Sequence, residues 1–184
     1  MLRSLVVLAL AGTVAAASAA DLLGAPPGTP DNTTIPDAPE WKELDAPPPP
    51  ALRTQGLIPV DVGGTSLHFG VDPASVTVGS DAVVRYVVVA TSNTGALNGF
   101  YEGIRCSAGE VKVFARYNRD SGWVPARESE WQKLSSGQAS TRHSLAIARS
   151  GVCLDTAPNG SAATIVQDLK APVDRRYLRG GVNR

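Results

Sequence analysis

Residues 82–91, Ala-Val-Val-Arg-Tyr-Val-Val-Val-Ala-Thr, constrain the fold more than any other stretch of the chain. β-branched side chains crowd a helix and suit a pleated sheet. A strand with one wet face alternates polar and apolar residues, and this one is apolar on both faces. It therefore belongs at the centre of a sheet covered on both sides. Its neighbours read the same way. Leu67–Val71 is a short strand closed by the turn former Asp72-Pro73, and Val76-Thr77-Val78 follows, ending at Gly79-Ser80-Asp81. Residues 98–106 and 110–117 add two strands around Ser107-Ala108-Gly109. In the second, Val111, Val113, Ala115 and Tyr117 share one face and Glu110, Lys112 and Arg116 the other, the alternation of a half-exposed antiparallel strand.

After Trp131 the period changes. Ser140–Arg149 lacks β-branched crowding and reads as a helix. Ser161–Lys170 reads as a second helix, capped by Ser161, with Ile165, Val166 and Leu169 as its apolar stripe. Strands followed by helices predict an α+β fold: an antiparallel sheet of about five strands, two C-terminal helices and a proline-rich N-terminal arm.

The arm spans residues 21–55 and holds nine of the 14 prolines. Proline fixes φ and removes a backbone donor, so this stretch is extended rather than helix or central strand. It is read either as a spacer or partner-binding arm, or as a segment lying on its own domain, which Trp41 favours. Before it, residues 1–20 carry Arg3, the apolar run Leu5–Ala11 and the small-residue end Ala17-Ser18-Ala19-Ala20, the pattern of a cleaved signal peptide. The expected location is periplasmic, with no lipid anchor because no cysteine stands at the cleavage site. No later apolar run approaches ~18 residues, so no membrane span is expected. The domain runs over 56–170, and a basic tail, 171–184, carries Arg175, Arg176, Arg179 and Arg184.

Charge is balanced, 17 basic against 17 acidic side chains. That offers no electrostatic case for nucleic acid. In an oxidising compartment, the two cysteines, Cys106 and Cys153, read first as a disulfide. The rival reading, metal ligation with His68 and His143, lacks a close Cys/His spacing. In 98–106, Phe100, Glu102, Ile104 and Cys106 point the same way. If that face is the core, Glu102 is a buried carboxylate that needs a partner, and Arg85 is the available one. The competing readings are a ligand-binding carboxylate at a sheet edge and a catalytic acid or base. His143, beside Ser144, is read as a surface histidine, and His68 as a satisfied, partly buried one. Trp123 and Trp131 are read as closing a small core, with glycan or peptide contact as the alternative. No nucleophile elbow, zinc helix or paired-carboxylate signature occurs, so no catalytic residue, metal or cofactor is assigned.

Three runs carry a family resemblance: Val71–Gly79, Val83–Val89 and Tyr101-Glu102-Gly103-Ile104-Arg105-Cys106, with Trp123, Trp131 and Cys153 following in order. Together they resemble the CNP-one-like family, named for a cryptic neisserial protein, over roughly Trp41 to Leu169. The family pattern has a glycine after the turn aspartate, where this chain has Asp81-Ala82. The resemblance implies a proteobacterial envelope protein and brings no established activity, cofactor or catalytic residue. The expected function is a non-enzymatic binding or scaffolding module of the cell envelope, its candidate partners an envelope protein or peptidoglycan. The alternative is an envelope-acting hydrolase using Glu102; Arg85, Glu102 and Arg105 are read as a structural ion pair or possible site.

Overall fold

The computed structural model describes residues 40–127 and 129–171. The leader-type residues, most of the arm and all but Ala171 of the basic tail lie outside the described residues. In chain order the strands are β1 (Ile58–Val60), β2 (His68–Val71), β3 (Thr77–Val78), β4 (Val83–Thr91), β5 (Leu97–Arg105), β6 (Glu110–Asn118), β7 (Gly122–Pro125) and β8 (Gln132–Lys133). Helix α1 (Arg142–Ile147) runs into a wider turn, Ala148–Val152, and two-residue strands β9 (Cys153–Leu154) and β10 (Ala157–Pro158) precede α2 (Ala162–Lys170). Strands β1 to β8 form one antiparallel sheet in the order β1-β2-β4-β5-β6-β7, with β3 also on β4 and β8 also on β6.

The sheet thus has eight strands rather than about five. The extra ones are short and lack alternation. β1 carries Pro59 in its middle, which only an edge strand tolerates. β7 and β8 share the outer edge of β6, each pairing with a different part of it.

β4 is buried from Val83 to Ala90, as its two apolar faces require. On one face α1, the following turn and α2 pack Ile147, Ala148, Val152, Ile165 and Leu169 against Val84, Tyr86, Val88, Ile104 and Val111. The Ser161 hydroxyl accepts from the Thr164 amide and caps α2. Gly151, in the wider turn after α1, lets that turn approach α2 closely. It sits at φ 134°, and a Cβ there would meet the Cβ of Asp168 at 2.9 Å.

The other face is covered by the chain that precedes β1. Ala46, Leu52 and Leu57 pack with Phe114 and Trp123 on Val87, Val89, Tyr101 and Ala115. The compact unit containing the sheet begins at Trp41. Residues 41–55 of the proline-rich arm therefore lie along the sheet. Their hydrogen bonds come mostly from side chains of the sheet and its loops, as proline-rich backbone demands: Trp123 Nε1 to the Pro50 carbonyl at 2.7 Å, and Arg85 Nη2 to the Leu44 carbonyl at 2.9 Å.

β5 and β6 change register between Tyr101 and Glu102, where Phe114 is the extra residue of a β-bulge. The bulge ends the simple alternation of β6. Val111 and Val113 face the helix side with Ile104 and Glu102, and beyond the bulge Arg116, opposite Phe100, takes that side. Ala115 and Tyr117 pass to the arm side. The single predicted face of Val111, Val113, Ala115 and Tyr117 is split.

Candidate functional site

The register that makes the sheet also decides the partners of Glu102. Tyr86 stands opposite Glu102, and Arg85 stands opposite Gly103. Cross-strand neighbours project to the same face, so Arg85 and Glu102 lie on opposite faces. The expected Arg85–Glu102 pair does not form. Arg85 turns to the arm side and pairs with Asp81 through two bonds, at 3.1 and 2.7 Å. Burial opposes ionisation of Asp81, but Arg85 and the amides of Leu44 and Val83 outweigh it and hold the carboxyl below its ordinary range. Arg105 pairs with Glu110 and lies 4.2 Å from the Trp41 ring centroid. The three expected site residues belong to three separate groups.

Glu102 does face the core with Phe100, Ile104 and Cys106, and it is 1% exposed. Its partners come from β4 and α1. Tyr86 Oη donates to Oε2 at 3.1 Å and Ser144 Oγ to the same oxygen at 3.0 Å. His143 Nε2 reaches Oε1 at 2.8 Å. Burial disfavours an imidazolium here, and Arg116 opposes it, but the Glu102 charge and hydrogen bond prevail and raise the His143 pKa above its ordinary value. Nε2–H is therefore the donor. Burial, then the Glu102 charge, pushes the Tyr86 phenol well above its usual range and keeps it a donor too. Phe69 stacks on the imidazole with centroids 4.9 Å apart.

His143 is thus buried, at 7% exposure, and not a surface residue. The sequence read it as exposed because α1 carries no long apolar stripe to mark its inner face. His68, expected to be partly buried, is exposed at the end of β2 and bonds Asn93 Oδ1 at 3.0 Å. Cys106 and Cys153 form the disulfide, with Cα atoms 5.7 Å apart. Trp123 and Trp131 are half-buried and hold the arm: Trp123 bonds the Pro50 carbonyl, and Trp131 bonds Glu43 and meets the Trp41 ring edge-on at 5.8 Å.

Above the buried cluster lies a cleft of about 780 Å³, within the range of small-ligand sites. It exists because the helices stop over β5 and leave the β6–β7 part of that face open. Its floor carries Phe100, Val113, Val124 and Arg116, and the start of α1 and the loop after β7 wall it. Arg116 was read as one of the solvated residues of β6, and no sequence signal marks it as a site residue. The bulge carries it to the helix side, where its guanidinium lies 5.0 Å from the Phe100 ring centroid. Among the described residues it makes no ion pair.

Fold and site define an α+β sheet domain strapped by an extended arm, with one mixed cleft over a buried Glu–His pair. The chain belongs to the CNP1-like family, whose model matches residues 36–170. No curated protein and no solved structure gives a significant match.

Proposed function

We propose that this protein is an exported binding module of the bacterial cell envelope, and that it holds its partner in the cleft over β5–β7 without turning it over. One observation carries the choice of binding over hydrolysis: both oxygens of Glu102 are already engaged. A general acid or base needs a free path to the substrate proton. Here Tyr86, Ser144 and His143 fill the acceptor positions of a carboxylate that solvent barely reaches. Nor do His143 and Ser144 stand as a nucleophilic pair. Such a pair sets the acid on one ring nitrogen and the nucleophile on the other. In this cluster the same Nε2 faces both Glu102, at 2.8 Å, and Ser144, at 3.2 Å.

The envelope part of the reading is supported by the leader pattern of residues 1–20 and by the Cys106–Cys153 bond, which persists in an oxidising compartment. The test sediments the purified protein with isolated envelope membranes and, separately, with peptidoglycan sacculi, then examines the supernatants by mass spectrometry. The expected result is co-sedimentation with one fraction, lost in Val124→Asp, with no new soluble fragments. Failure to sediment with either fraction, or release of fragments that stops in Glu102→Gln, would overturn the reading.

A further inference from the structure

The floor of the cleft places one unpaired guanidinium among apolar side chains. Arg116 projects beside its cross-strand neighbours Phe100 and Val124, with Val113 further along the same strand. An arginine stacked on an aromatic ring keeps its edge donors free, and that edge matches a carboxylate bidentately. The rim carries groups that pair with amides: Asn98, Asn118 and Gln132. We propose that the cleft binds the free carboxylate end of a short peptide, with Arg116 as the carboxylate receptor, the apolar floor under the terminal side chain and the rim amides on the peptide groups. This rests on the binding reading above and names its ligand class.

The charges around Arg116 select a single carboxylate over a phosphate. Glu102 below has both oxygens engaged, by Tyr86, Ser144 and His143, and lies buried under the floor. Arg127 and Glu130 also line the cleft. The lining carboxylates Glu102 and Glu130 repel a dianion about twice as strongly as a single carboxylate at the same distance. A terminal carboxylate carries the one charge that Arg116 matches, and its apolar residue gains from leaving water against Phe100, Val113 and Val124. Arg116 is exposed, so its replacement leaves the core intact.

The probe is the tripeptide acetyl-Ala-Ala-Ala with a free carboxylate, compared with its C-terminal amide by calorimetric titration. The acid should bind at least ~10-fold more tightly than the amide, as loss of a charge-assisted bidentate contact requires. Arg116→Met should abolish that difference at unchanged Tm, Arg116→Lys should keep part of it, and inorganic phosphate should not displace the acid. Equal binding of acid and amide, no binding of either, an unaffected Arg116→Met, or displacement by phosphate would each overturn the proposal. The sedimentation result is read independently. If it stands while the tripeptide fails, the ligand class falls and the binding reading survives; if both fail, both fall.

Discussion

At the scale of residues, Glu102 ties three segments together with one carboxylate. Tyr86 comes from β4, Glu102 from β5, and His143 and Ser144 from α1. Removing the carboxylate leaves the buried Tyr86 hydroxyl without this acceptor and leaves the buried His143 and Ser144 only their 3.2 Å contact with each other. Glu102→Ala should cost about 3–5 kcal/mol in chemical denaturation. Glu102→Gln, which keeps an acceptor but loses the charge, should cost about 1.5–3 kcal/mol. Combined with His143→Asn, Glu102→Gln should show a coupling of about 1–3 kcal/mol in a double-mutant cycle. Additive losses would mean that the 2.8 Å contact contributes nothing. Ala82 stands at the opposite extreme, as a residue whose own backbone is unfavourable. It ends the β3–β4 turn at φ 59°, with its amide bonded to the Gly79 carbonyl. A left-handed residue with a Cβ costs ~1–2 kcal/mol, and the larger entropy that glycine loses on folding offsets ~0.5–1 of that. Ala82→Gly should therefore raise stability by about 0.5–1 kcal/mol, read as an increased denaturation midpoint.

At the scale of elements, α1 is short and depends on its side-chain anchor to the sheet. That anchor titrates. The folded pKa of His143 lies above the ordinary histidine value of ~6.5, so the folded state binds the proton more tightly than the unfolded chain. The stabilisation is complete below ~6.5 and is lost as pH rises through the folded value. Asp81 runs the other way. Its folded pKa is depressed, so its contribution is complete above ~3.9 and is lost as pH falls through the lower folded value. Denaturation midpoints should fall on the alkaline side of ~6.5, and His143→Asn should flatten that limb while leaving the acid limb in place. These elements also mark where sequence reading succeeds and stops. β4 and α2 were legible because one is β-branched on both faces and the other has a cap and a regular stripe. The facing of Glu102 was legible from period two. Its partner was not, because strand register, a non-local quantity, decides whether Tyr86 or Arg85 shares its face. The place of Arg116 was hidden for a related reason: one extra residue at Phe114 reverses the alternation downstream, and nothing in Phe114-Ala115-Arg116 announces it.

At the scale of the whole molecule, the sheet is closed by two devices of different kinds. One is covalent. Cys106, just past β5, is joined to Cys153, 47 positions later and beyond the α1 turn, so the bond clamps the helix layer onto the sheet. Opening a loop of that size costs about 4 kcal/mol in the chain-entropy account. Reduction should lower the denaturation midpoint by that order, and a Cys106→Ser, Cys153→Ser double variant should match the reduced protein.

The other device is the strap from Trp41 to Leu57, which hides Val87, Val89, Tyr101 and Ala115. Its anchors are spread along its length: Trp41 Nε1 on the Asp81 carbonyl at 2.8 Å, Glu43 on Lys112 at 2.9 Å, and the Pro50 carbonyl on Trp123. The Arg105 guanidinium sits against the Trp41 ring and near that of Trp131, which links the first anchor to β5. Composition alone favours cleavage anywhere before Leu57, since proline-rich chain has little apolar content to bury. The anchors favour a different boundary, because a protease needs a segment that leaves the surface, and leaving here breaks several side-chain bonds at once. Limited proteolysis followed by mass determination should stop close to Trp41, and Trp41→Ala should move the limit towards Leu57. A wild-type fragment beginning near Leu57 would show instead that the strap opens freely, and that the apolar face under it is available to a partner.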